Sequence, residues 1–103
     1  MKEGDIQSQS QSSTTNPDGY VAVRILGNLG QRAKREKIDK IFVSPPIKLD
    51  SLIALLQKEY ELDLRRDSTL IMINGVEARA LEDLETVISE GDEVTLVPMF
   101  HGG

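Results

Sequence analysis

The sequence predicts an α+β fold in which a mixed sheet of four to five strands wraps over one main helix, and three observations carry that expectation. Apolar residues alternate with period two near both ends of the ordered part, in YVAVRIL at 20–26 and VTLVPM at 94–99. Between them LDSLIALLQKEY at 49–60 switches to the helical period. Asn74-Gly75 then separates two short strand-like runs, and both residues tolerate the positive φ of a tight hairpin turn.

Residues 1–18 hold four Ser, three Gln and two Thr, with Met1 and Ile6 as their only large apolar side chains. Such a segment cannot offset its own ordering entropy, so a disordered polar tail is expected over 1–18. The first strand follows, with Val21, Val23 and Ile25 on one face and Tyr20, Ala22 and Arg24 on the other. After GNLG and the polar connection QRAKREK, Ile41 and Val43 share a face of a second strand that forms a long-looped antiparallel hairpin with the first. Pro45 and Pro46 end it, because proline lacks the donor a ladder needs.

The helix places Leu49, Leu52, Ile53, Leu56 and Tyr60 on one stripe, whose burial contributes about 8–15 kcal/mol before conformational entropy is charged. Asp50 near its start and Lys58 near its end suit the helix dipole. TLIMI at 69–73 is expected as a third strand, with a short fourth strand over Val76–Ala78 pairing back on it. LEDLETVI at 81–88 reads as a brief turn of helix, with Leu81, Leu84 and Ile88 covering an edge of the core. EGDE leads into the last strand, where Val94 and Leu96 point inward and Thr95 and Val97 outward. The expected organisation is a folded domain over 19–98 and a flexible tail over 99–103. If the last strand lies in the middle of the sheet beside the first, it runs parallel to it and the chain leaves at one tip.

Composition narrows the function. The chain has 103 residues, no cysteine and one histidine, which leaves neither a cysteine nucleophile nor a zinc cluster. No stretch has the apolar core of a signal peptide or the length of a membrane span, so a cytoplasmic protein without membrane contact is expected. The net charge of −5 is unevenly spread: residues 1–47 carry seven Lys/Arg against five Asp/Glu, residues 48–103 five against twelve. The acidic half repels phosphate backbones and favours a partner with a basic surface; a purely solubilising role is the alternative. The run Arg32, Lys34, Arg35, Lys37 has no interleaved aromatic residue and is interrupted by Glu36, so direct nucleic-acid binding is not expected. Serines lack the G-x-S-x-G setting, and GNLG lacks the rest of a dinucleotide fingerprint or P-loop. The carboxylates of EDLE and EGDE describe a solvated turn rather than an acid–base pair. No catalytic residue, bound cofactor or metal is expected, and the protein is read as a monomer rather than an enzyme.

What remains is the C-terminal stretch MFHGG. A free carboxylate is a poor electrophile, and its acyl chemistry requires another protein to convert it to a mixed anhydride with AMP. Gly102 and Gly103, without Cβ atoms, fit an extended path through a narrow channel. Thr95, Val97 and Met99 are candidates for a docking surface, and Phe100 for an anchor at the root of the tail. Ordinary packing of Met99 and Phe100 on the sheet edge is the alternative. His101 is read as a tail residue that gives access, with no role in proton transfer, and a frayed, inert end is the simplest alternative for the glycines.

Residues 20–103 resemble the ubiquitin-like β-grasp sulfur carriers and modifiers. The resemblance rests on ING at 73–75, EGDEV at 90–94 followed by an apolar strand, and the final GG, in that order. That group comprises the molybdopterin synthase small subunit, the thiazole-synthesis sulfur carrier, the small archaeal modifier proteins and the ubiquitin-related modifiers. HGG looks most like the last of these. The Ser/Gln tail and Lys48 at the helix start, where a capping hydroxyl is the better choice, depart from the common pattern. The resemblance implies a β-grasp fold and activation at Gly103 by an E1-like enzyme that uses ATP with Mg. A sulfur donor then forms a C-terminal thiocarboxylate, for example for tRNA thiolation, or the acyl group passes to a lysine of a target protein. The alternatives are the small subunit of a molybdopterin synthase and a β-grasp interaction module with an inert C-terminus.

Overall fold

The computed structural model describes residues 18–32 and 35–99. Its elements in chain order are β1 (Val21–Ile25), a 3₁₀ turn (Gly27–Gly30), β2 (Lys40–Val43), β3 (Ile47–Lys48) and the helix α1 (Leu49–Glu59). They continue with β4 (Thr69–Ile73), β5 (Val76–Glu77), 3₁₀ turns at Ala78–Ala80 and Asp83–Glu85, β6 (Val87–Ile88) and β7 (Glu93–Pro98). The main sheet has the order β2-β1-β7-β4-β5, and β3 pairs with β6 in a second, two-stranded sheet. This is the α+β, β-grasp architecture expected, with five strands against one helix.

The alternation in the first and last strands places them as the sequence implied. Val21, Val23, Ile25, Val94 and Leu96 are almost wholly buried, and Thr95 and Val97 are half-buried on the opposite side. β7 lies in the middle of the sheet, parallel to β1 with Val23 beside Val94, and antiparallel to β4 with Ile71 beside Leu96. Of the helical stripe, Leu49, Leu52 and Leu56 are fully buried, while Ile53 and Tyr60 pack on the core's margin. β2 pairs antiparallel with β1.

The β4–β5 hairpin turns through Asn74 and Gly75, with φ of 53° and 84°. Asn74 also fastens this turn to the start of β7. Its N–H donates to the Glu93 carbonyl at 2.8 Å, its Oδ1 accepts from the Glu93 N–H at 2.9 Å, and its Nδ2 donates to Asp92 Oδ1 at 3.0 Å.

Two expectations are corrected. The fourth strand stops at Glu77, because Ala78 turns into a 3₁₀ segment and buries its methyl group in the core. The turn of helix expected within 81–88 is a single 3₁₀ turn at Asp83–Glu85, but its neighbours do not cover the core as expected: Leu81 is 44% exposed, Leu84 is partly buried, and Ile88 is fully buried as part of β6, opposite Ile47. A strand places Val87 and Ile88 on opposite sides, so only Ile88 reaches the core. This small sheet also explains the unusual start of the helix. Lys48 is engaged with β6, and the Leu49 N–H, an orphan donor of the first turn, donates to the Thr86 carbonyl at 2.9 Å. The cap is a backbone group supplied from another part of the chain.

Candidate functional site

The central position of β7 determines where the chain emerges. Beyond Leu96 its neighbours diverge: the Leu26 N–H donates to the Leu96 carbonyl at 3.0 Å, and then the 27–30 turn carries the first segment away. On the other side the ladder runs further, with Pro98 opposite Thr69 and the Met99 N–H donating to the Ser68 carbonyl at 2.9 Å. The turn presses against the strand end so closely that a Cβ at Gly27 would lie 2.8 Å from Pro98 Cγ. Met99 is thus held by backbone geometry at the rim of the sheet.

A cavity of about 410 Å³ opens beside this root. Asn28, Leu29 and Gln31 line it from one loop, Asp63, Arg65 and Ser68 from another, and Pro98 and Met99 from the strand. Its walls are mixed in polarity, with the exposed Arg65 and Asp63 side chains 3.5 Å apart. Neither loop carries a recognisable motif, so this cavity has no signature in the sequence. The Leu62 and Leu64 alternation was the available signal for the second loop: both side chains are buried, and the Leu64 carbonyl accepts from Gln57 Nε2 at 2.9 Å.

Of the sequence-predicted docking residues, Thr95 and Val97 share the outer face of the sheet with Met72 and Leu70, their respective neighbours on β4. Met99 is half-buried at the root and borders the cavity. Phe100, His101, Gly102 and Gly103 lie outside the described residues, as do Lys34 and the 1–17 portion of the N-terminal tail.

The charged clusters have structural partners. Asp83 accepts from Arg66 Nη2 at 2.7 Å, and Glu85 accepts from Lys48 Nζ at 3.1 Å. Asp92 Oδ2 closes the 89–92 turn by accepting from the Ser89 N–H at 2.8 Å. In the basic loop, Arg32 Nε donates to the Glu36 carbonyl at 3.1 Å, Arg35 lies 3.6 Å from Glu61, and Lys37 lies 3.9 Å from Asp39. Among the described residues no group of three or more His, Cys, Asp or Glu side chains is placed to hold a metal ion. No helix among them is long and apolar enough to cross a membrane.

Comparison with known proteins gives this geometry its context. The profile of the ThiS family matches residues 23–103, from the first strand through the final glycine. The chain belongs to the ThiS family. A candidate sulfur carrier protein from Archaeoglobus fulgidus is 35% identical over 88 residues, covering 81% of this chain and 98% of that protein. Among solved structures, Urm1 from Trypanosoma brucei superposes with a TM-score of 0.60 at 20% identity, covering 86% of this chain and all of that one. The complex of subunits 1 and 2 of the molybdopterin-converting factor from Helicobacter pylori contains a chain with a TM-score of 0.57 at 26% identity, covering 82% of this chain and 99% of that one. The small archaeal modifier protein SAMP1 from Methanosarcina acetivorans matches with a TM-score of 0.55 at 25% identity, covering 85% and 100% of the two chains. As a ThiS-family member this protein is a ubiquitin-like β-grasp chain of the sulfur-carrier and modifier class.

Proposed function

We propose that this ThiS-family protein is a protein substrate rather than an enzyme, and that its reacting atom is the carboxyl carbon of Gly103. An E1-like enzyme joins the Gly103 carboxylate to the α-phosphorus of ATP, with Mg, and releases pyrophosphate. The acyl-adenylate is then attacked at its carbonyl carbon and AMP leaves. Attack by a sulfide-equivalent donor gives a thiocarboxylate; attack by a lysine amine of a target protein gives an isopeptide bond. The chain contributes no thiol of its own, so the sulfur comes from elsewhere.

The observation that carries this reading is the family match running unbroken to residue 103 on a fold whose central strand ends at the rim. Met99, the last described residue, is held at the rim beside the central strand, so docking of the folded domain also brings the root of the tail to its partner. The outer face of β7, with Thr95 and Val97, and the root residues Met99 and Phe100 are the docking surface in this reading. His101 and Gly102 form the slender approach.

The test is reconstitution with the cognate activating enzyme and ATP. Pyrophosphate exchange is expected with the full chain and absent after deletion of Gly103; exchange that survives the deletion overturns the proposal. Intact mass then separates the two fates. Replacement of one oxygen by sulfur indicates a carrier, and Gly-Gly remnants on lysines of other proteins indicate a modifier. A second reading, the small subunit of a molybdopterin synthase, is favoured by the likeness to a chain of the Helicobacter pylori complex. It predicts a stable complex with a larger subunit on purification from the native host, and isolation without one counts against it.

A further inference from the structure

Beneath Met99 two polar atoms are buried with no hydrogen-bond partner among the described residues: Arg66 Nη1 and Thr69 Oγ1. Thr69 is only 5% exposed, and Arg66 commits its other terminal nitrogen to Asp83 at 2.7 Å. The two residues line the same small cavity, of about 10 Å³, whose walls also include Glu77, Arg79, Asp83 and Met99.

The chemistry of the cavity selects its occupant. Arg66 Nη1 can only donate, so the occupant must offer a lone pair; Thr69 Oγ1 can donate or accept. The space is that of one water-sized centre, too small for a phosphate or a carboxylate ligand. Two arginines and two acidic residues are among its lining, so no surplus of positive charge calls for an anion. We propose that this cavity is the binding site of one structural water, which accepts from Arg66 Nη1, bonds to Thr69 Oγ1 and directs a remaining hydrogen at the carboxylates of the wall.

Such a water ties together the segments that hold the root of the tail. Thr69 is the partner of Pro98 in the ladder, and Ser68 supplies the carbonyl that accepts from the Met99 N–H. Through Arg66 the same site reaches the 83–85 turn. The water therefore acts as a buried strut under the point where β7 ends, and this role is independent of what chemistry the tail undergoes.

A crystal structure of the full chain, at a resolution that shows ordered water, tests the site directly. A single peak within hydrogen-bond distance of both Arg66 Nη1 and Thr69 Oγ1 is expected, retained in Thr69→Ser and lost in Thr69→Val. In solution the Met99 amide should exchange about fivefold faster in Thr69→Val than in the parent, the effect of losing one modest hydrogen bond, and at the parental rate in Thr69→Ser. A direct bond from Arg66 Nη1 to Thr69 Oγ1 overturns the proposal. So does a group from 100–103 in the cavity, a chloride identified by anomalous scattering, or an empty cavity. If Thr69→Val does not fold, the parent and Thr69→Ser densities decide. None of these readouts involves activation at Gly103, so the sulfur-carrier proposal stands or falls separately.

Discussion

Gly30→Ala is the most informative single substitution for stability, because its cost follows from one close approach. Gly30 is buried at the end of the 3₁₀ turn, and its carbonyl accepts from the Ile38 N–H at 2.9 Å. A Cβ built there falls far inside the contact distance of the Ile38 carbonyl oxygen, 2.9 Å from the Ile38 carbonyl carbon and 3.4 Å from Ile25 Cγ2. An ordinary carbon–oxygen contact is about 3.3–3.6 Å, so the Ile38 backbone must retreat by more than about 1 Å. Overpacking of this kind costs about 1–3 kcal/mol and the stretched hydrogen bond about 1 kcal/mol more, giving about 2–4 kcal/mol. For a domain of this size each kcal/mol lowers Tm by about 4–8 °C, so a fall of about 8–32 °C is expected. Thermal melting followed by circular dichroism, with urea unfolding at 25 °C, measures it. Gly75→Ala is the control, because a Cβ there meets nothing within 4 Å and only the φ of 84° opposes it, at about 1–2 kcal/mol. A Gly30→Ala protein melting within about 3 °C of the parent refutes the contact argument.

Glu61 has φ of 60° where the chain leaves α1, and its only described ion pair, to Arg35, is exposed. Glu61→Gly is therefore expected to stabilise by about 0.5–1 kcal/mol, read as a higher urea midpoint. Leu52→Ala, at a fully buried helix position, should cost about 2–5 kcal/mol in the same assay. Asn74→Ala removes two side-chain hydrogen bonds to the start of β7 from a residue with positive φ, and should cost about 1–3 kcal/mol by urea unfolding. Val97→Asp, on the half-buried outer face, should raise the KM of the chain in adenylation about tenfold or more, whereas the Gly103 deletion abolishes turnover while leaving Tm unchanged. Unaltered kinetics for a folded Val97→Asp protein would remove that face from the docking surface.

The long periodic segments were legible in the sequence for a physical reason. In β1 and β7 each alternation step is a choice of face, and Val21, Val23, Val94 and Leu96 are buried accordingly. The helical stripe likewise marked Leu49, Leu52 and Leu56, and Asn74-Gly75 announced a turn that both residues make at positive φ. The β3–β6 pair was hidden because two residues per strand are too few to show a period, and Val87-Ile88 lies in a stretch whose leucines imitate a helix. The cavity at the root was hidden too, since it is made by loops 28–31 and 63–68 meeting a strand that none of them precedes or follows directly. Of the candidate site, the outward placement of Thr95 and Val97 follows from alternation alone. Arg66 and Thr69 had no sequence signal, because an unpaired polar atom becomes visible only when its surroundings are assembled.

The placement of β7 between two longer-range partners has a mechanical consequence. A pull along the axis of this strand from its C-terminal side cannot peel it away one rung at a time; it loads the ladders to β1 and β4 together, in shear. Whatever is fastened beyond Met99 would pull on a strand paired on both sides, so a machine that drags the chain from that side would load two ladders at the outset.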